Sequence, residues 1–215
     1  MSLPDPFPLV ARAPVIPVVV IERVEDAVPL AQALVEGGLP LIEVTLRTPV
    51  ALEAIRLIAA EVDGAILGAG TVTENAHVEA ALEAGAAYLV SPGTTPDFAR
   101  HLAQAPVPVL PGCASVSEAM ALSALGFQVL KFFPAEAAGG VPFLKSIAGP
   151  LPGLRFCPTG GIGPANVESY LALPNVVAVG GSWVVPADAI RAGGFGKVRD
   201  LAKAASVLKR TAKLG

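Results

Sequence analysis

Two cysteines, two histidines and six lysines are all the thiols, imidazoles and side-chain amines in this 215-residue chain. Cys113 and Cys157 fall in or beside apolar, strand-like runs, which reads as buried, reduced thiols. No Cys/His pair has metal-ligand spacing, and His77 and His101 lie in helix-like stretches with packing or surface roles, so no metal is expected. Charged residues are also few, 15%, with a net charge of −3. That balance excludes a general nucleic-acid binder. Long apolar runs are missing too. Hydrophobic residues reach 53%, yet no unbroken stretch approaches the ~20 residues that span a bilayer. Gly and Pro, 22 and 21 of them, cut every run at strand length. The start, MSLPDPFPLVARAPVIP, lacks a basic segment followed by an apolar one, so no signal peptide or membrane partner is expected and the location reads as cytoplasmic.

What is present is a repeat. A short β-branched run, a turn and an amphipathic Ala/Leu/Glu stretch recur eight times. The runs are VIPVVVI, LIEVTLR, AILGAGT, AYLVSPG, VPVLPG, QVLKFFP, LRFCPTGG and VVAVGGS. Strands alternating with helices imply parallel pairing through right-handed crossovers. Eight such units fit a single-domain (β/α)8 TIM barrel over 1–215. A doubly wound open sheet is the alternative. Helix signals include Thr48 before Pro49, Ser115 with Glu118 three residues on, and Gly85 and Gly126 as stops. Residues 1–14 read as an irregular lead-in, and about 197–213 as a basic closing helix.

Lys131 lies inside QVLKFFP, where burying an ammonium ion is costly. A desolvated lysine gives up its proton readily and can condense with a carbonyl compound to a Schiff base. Three other charges fall within the runs, Glu43, Arg47 and Arg155. Arg155, at a strand start, reads as a bottom-face charge. Strand parity puts Glu43, Thr45 and Arg47 on one face, and Val129, Lys131 and Phe133 on another. Facing outward, these charges would be buried under helices; facing inward, they stack toward the mouth, where barrel enzymes carry their chemistry. The bland alternative is a buried ion pair without chemistry.

Several run ends add to this. Thr71 closes GAGT, where its hydroxyl can bind a carboxylate or carbonyl. Pro92 reaches the mouth in SPG. Runs seven and eight end in TGGIG and GGS, giving Thr159, Gly160, Gly161, Gly181 and Ser182. Glycine-rich loops after the last two strands of a barrel are a common phosphate site.

Together GLPLIEVTLRT, GAGTV, VSPG, VLPGCAS, LKFFPAE, RFCPTGGI and VGGSW, spread from Val15 to Pro186, resemble the bacterial 2-dehydro-3-deoxy-phosphogluconate aldolase / 4-hydroxy-2-oxoglutarate aldolase (KDPG/KHG aldolase) family. The resemblance implies a metal-independent class I aldolase without a cofactor, a homotrimer. It would cleave 2-dehydro-3-deoxy-6-phosphogluconate to pyruvate and glyceraldehyde 3-phosphate. It implies Lys131 as the Schiff-base lysine and Glu43 as the proton shuttle. Arg47 and Thr71 would hold the pyruvyl carboxylate, Phe133 and Pro92 would line the pocket, and Thr159, Gly160, Gly161 and Ser182 would surround the distal phosphate. The shorter 4-hydroxy-2-oxoglutarate is a second substrate by the same resemblance. Two other readings compete: a phosphate-binding barrel isomerase, epimerase or decarboxylase with an electrostatic Lys131, and a non-catalytic sugar-phosphate binder.

Overall fold

The computed structural model describes residues 3–212. Among these the strands are β1 (Val15–Val19), β2 (Leu41–Thr45), β3 (Ile66–Gly70), β4 (Tyr88–Val90), β5 (Val109–Leu110), β6 (Gly112–Cys113), β7 (Val129–Phe132), β8 (Arg155–Pro158) and β9 (Val179–Gly181). Every pairing is parallel. Six strands form one curled sheet in the order β5-β4-β3-β2-β1-β9, and three form a second, β6-β7-β8. The fifth run of the sequence supplies both β5 and β6. Pro111 divides them because it has no N–H to pair, although its carbonyl accepts from Lys131 N–H at 2.9 Å. At the other seam β8 and its flank meet the β9 region through two single bridges, Phe156 with Val176 and Thr159 with Gly180. The continuous eight-stranded ladder expected from the repeat is thus present as two parallel sheets.

Helices follow the strands: α1 (Phe7–Val10), α2 (Ala27–Glu36), α3 (Ala51–Glu61), α4 (Asn75–Glu83), α5 (Pro96–Leu102), α6 (Val116–Ala124), α7 (Gly140–Ala148), α8 (Val167–Leu171), α9 (Ala187–Arg191) and α10 (Phe195–Ser206). Period-2 alternation sorts each strand into two cores. Leu30, Ile42, Val44, Ile55, Leu67, Leu130 and Phe132 pack between strands and helices. Ile16, Leu41, Tyr88, Leu110, Val129 and Cys157 share a second cluster that draws on both sheets. Both faces of the strands are covered, so the runs read as nearly continuous apolar sequence.

Four local expectations change. The lead-in is not wholly irregular. Phe7 N–H donates to Asp5 Oδ1 at 2.9 Å, α1 follows, and Val10 is fully buried in the second cluster. The closing helix starts at Phe195 and stops at Ser206, while Lys213 lies outside the described residues. It stops because the chain beyond is committed elsewhere. Arg210 donates to the carbonyls of Ala11, Ala13 and Val177, and Thr211 N–H to Leu171 O. Thr48 does not cap α3; its hydroxyl donates to Ile21 O at 2.6 Å, and Val50 occupies the cap. Arg47 lies past the end of β2, where Arg47 N–H turns back to Thr45 O at 2.8 Å, so strand parity ends at Thr45. Ser115 and Glu118 do form a capping box, and Gly85 and Gly126 take positive φ at helix ends.

Candidate active site

Glu43 and Lys131 approach each other from different sheets, β2 and β7. Lys131 Nζ donates to Glu43 Oε1 at 3.0 Å, and the two side chains are only 5% and 4% exposed. Replacing such a pair with apolar groups is often neutral or stabilising, so stability alone does not account for it. Space for it comes from β3. A Cβ at Gly70 would lie 2.2 Å from Glu43 Oε1 and 2.6 Å from its Cγ. One register step lower, the Tyr88 ring fills the place of a side chain at Gly68.

Other groups around the pair are held neutral. Burial, with the Glu43 charge second, pushes the Tyr88 hydroxyl well above the usual phenol range. Burial, again with Glu43 second and Lys131 opposing, raises Cys157 to about 12. Cys113 is likewise raised to about 12, by burial and then Glu118. Neither thiol is therefore a nucleophile near neutral pH. Nζ lies 5.4 Å from the centroid of the half-buried Phe133 ring.

At the strand ends, Arg47 Nε donates to Thr71 Oγ1 at 3.1 Å. Arg47 is exposed, and Thr71 is held at φ +60°, an unusual backbone for a β-branched residue. Leu46 N–H to Gly70 O at 2.8 Å and Val72 N–H to Val90 O at 3.1 Å brace that turn. Pro92 leans over Gly112, where a Cβ would meet its carbonyl carbon at 2.3 Å, and Gly112 pairs in register with Lys131. Ser91, unnoticed in the sequence, fixes this approach: its hydroxyl accepts Gly112 N–H at 3.0 Å.

Past β8 and β9 the two glycine loops are adjacent through the Thr159–Gly180 bridge. Gly160 and Gly161 take φ +103° and +76°, conformations that favour glycine. The Trp183 ring crosses the place of a Cβ at Gly181, and Ser182 is exposed beside it. Among the described residues the N–H groups of Gly160, Gly161, Ile162 and Ser182 donate to no protein acceptor. The structure thus brings Lys131, Glu43 and Phe133 together, joins Arg47 to Thr71, and sets Thr159, Gly160, Gly161, Gly181 and Ser182 in neighbouring loops. Sequence reading missed Gly68, Gly70, Tyr88, Ser91 and Trp183. The signal for the first two was available: alternate glycines on a strand next to one that carries an inward carboxylate. Among the described residues no three His, Cys, Asp or Glu side chains cluster as a metal site would require.

Residues 8–201 match the family model for KDPG and KHG aldolase. The KHG/KDPG aldolase of Escherichia coli K12 is 49% identical over 197 residues, 92% of each chain. The KDPG aldolase of Legionella pneumophila, solved with pyruvate captured as a covalent carbinolamine intermediate, superposes with a TM-score of 0.92 at 46% identity, covering 94% of this chain and 98% of that one. The 2-keto-3-deoxy-6-phosphogluconate aldolase of Zymomonas mobilis, solved with 3-phosphoglycerate, gives 0.89 at 50% identity, covering 96% and 97%.

Proposed function

Because the chain belongs to the KDPG and KHG aldolase family, we propose that it is a class I aldolase that splits 2-dehydro-3-deoxy-6-phosphogluconate into pyruvate and glyceraldehyde 3-phosphate, the cleavage step of the Entner–Doudoroff pathway. The observation that carries this reading is the buried Lys131–Glu43 contact of 3.0 Å. It supports the reading because an amine and a carboxylate that can exchange a proton lie within one hydrogen bond of each other.

In this reading Glu43 takes a proton from Lys131, and the free amine adds to the C2 ketone. Glu43 returns that proton to the carbinolamine hydroxyl, which leaves as water to give an iminium ion and restores the carboxylate. Glu43 then accepts the C4 hydroxyl proton as the C3–C4 bond breaks. The bond electrons flow to the iminium, leaving an enamine and free glyceraldehyde 3-phosphate. Protonation at C3 by Glu43 and hydrolysis of the imine release pyruvate and restore the amine. Arg47 and Thr71 take the carboxylate of the keto acid, with the guanidinium supplying charge and the hydroxyl direction. Phe133 and Pro92 shape the apolar wall. The free N–H groups of Gly160, Gly161 and Ser182 and the exposed Ser182 hydroxyl, with Thr159 and Gly181 behind them, receive the phosphate. The same lysine and glutamate would also cleave 4-hydroxy-2-oxoglutarate, which leaves the phosphate loop unused.

Three further parts belong to this proposal. The two sheets form one closed (β/α)8 barrel and a single domain: the second cluster draws on both sheets, and the seams are a proline and two bridges. The working unit is a homotrimer. Its support, besides the resemblance, is apolar surface on α6, where Val116 and Met120, one turn apart, are 40% and 55% exposed. The enzyme works in the cytoplasm, a reducing compartment that suits two free, buried thiols.

The decisive test is borohydride reduction in the presence of pyruvate, followed by peptide mass spectrometry. The adduct is expected on Lys131. No adduct, or one on Lys145 or Lys197, would refute the assignment and favour an electrostatic lysine.

A further inference from the structure

Behind the glycine loop that follows β8 lies a carboxylate that the aldol chemistry does not use. Glu136, in the turn after β7, packs on Gly161, where an added Cβ would lie 2.7 and 2.6 Å from its Cβ and Cγ. Its Oε1 accepts a hydrogen bond from Tyr170 Oη. Tyr170, on α8, is fully buried. Gly140, at φ +56°, leaves the room: a Cβ there would meet Tyr170 Oη at 3.1 Å and Glu136 Oε1 at 3.3 Å. The backbone repeats the link. Glu136 N–H donates to Gly160 O at 3.1 Å, and Ala135 N–H to Thr159 O at 2.8 Å. Asn166 clasps the far side, with Nδ2 donating to Gly161 O at 3.1 Å and Oδ1 accepting Gly163 N–H at 2.8 Å.

Glycines give this loop little stiffness of their own, and a loose carboxylate beside it would repel an anion. We propose that Tyr170 is a positioning residue for the phosphate end of the substrate. Through Glu136 it fixes the Gly160–Gly161 loop in the shape that presents its N–H groups, and it keeps the Glu136 carboxylate engaged rather than free to swing toward the phosphate. Burial first and the Glu136 bond second push the Tyr170 hydroxyl above the phenol range, so it stays a donor at neutral pH. The inference rests on reading this loop as the phosphate site.

Tyr170→Phe removes one oxygen and keeps the ring. KM and kcat are measured on 2-dehydro-3-deoxy-6-phosphogluconate and on its unphosphorylated counterpart. Loss of one such hydrogen bond should raise KM for the phosphorylated substrate about tenfold, and that for the other less than about twofold. Pyruvate trapping at Lys131 should persist. Glu136→Ala, at an exposed position, should reproduce the split without touching the core. Glu136→Gln, whose carbonyl still accepts from Tyr170, should keep KM at or below about twice the wild-type value. Equal rises on both substrates in Glu136→Ala and Tyr170→Phe would reduce the pair to packing and overturn the inference. Ser182→Ala separates the two claims. A phosphate-selective rise there, with none in Tyr170→Phe, removes the tether alone; if neither variant discriminates, the phosphate site itself falls.

Discussion

Gly70→Ala adds one methyl group, and the structure places that methyl on Glu43, the proposed proton shuttle. The new Cβ would stand 2.2 Å from Glu43 Oε1 and 2.6 Å from its Cγ. Ordinary contact begins near 3.4 Å, so the carboxylate must retreat by more than ~1 Å, judged against the usual carbon–oxygen approach. Its hydrogen bond to Lys131 Nζ is 3.0 Å long, and a retreat of that size ends it. Gly70 is not among the residues with positive φ, so alanine is tolerated by the backbone and the whole effect falls on Glu43. A misplacement of this order costs about 100-fold in rate, and loss of general acid–base help in the proton transfers extends the range to roughly 10²–10⁴. The buried lysine also loses its partner, at a cost of about 3 kcal/mol or more in stability. The assay is pyruvate release from the phosphorylated substrate, coupled to NADH oxidation by lactate dehydrogenase, alongside thermal unfolding. Turnover within threefold of wild type, with the melting temperature unchanged, would show that the crowding at Gly70 does not govern Glu43.

Three other outcomes are expected. Glu43→Gln should still be trapped with pyruvate and borohydride, yet turn over about 10²–10⁴ times more slowly; wild-type turnover would remove Glu43 from the proton transfers. Tyr88→Phe should stabilise the fold by about 1 kcal/mol, because its buried hydroxyl has no hydrogen-bond partner among the described residues; a fall in melting temperature would mean that a partner such as an ordered water is being lost. Cys113 and Cys157 are raised from 9.0 to about 12 in the fold, so both are protonated in either state below pH 9. Between pH 9 and 12 only the unfolded thiols ionise, and stability should fall by about 1.4 kcal/mol per pH unit for each. The Cys113→Ala, Cys157→Ala double variant, followed by chemical unfolding across that range, should show a shallower fall, and an unchanged slope would refute the assignment.

Apolar periodicity, turn residues and the rarity of charge inside the runs determined the number of strand–helix units and singled out Glu43 and Lys131, since each of these signals is local. Ser115 with Glu118 and the stop at Gly85 were legible for the same reason. The stop at Ser206 was not, because the hydrogen bonds of Arg210 to residues distant in sequence decide it, whereas the split of the fifth run at Pro111 and the short helix at Phe7–Val10 had local signals, a proline without an N–H and Asp5 beside Phe7, that the apolar pattern overrode. Arg47 reaches Thr71 through a turn rather than along a strand, which no parity argument could show. The tertiary structure alone decided that two charges 88 residues apart meet at 3.0 Å. It also decided that Gly70 and Gly161 are empty so that Glu43 and Glu136 can occupy their space. A glycine's purpose is written in its neighbour's side chain, and only the packed register says which neighbour that is.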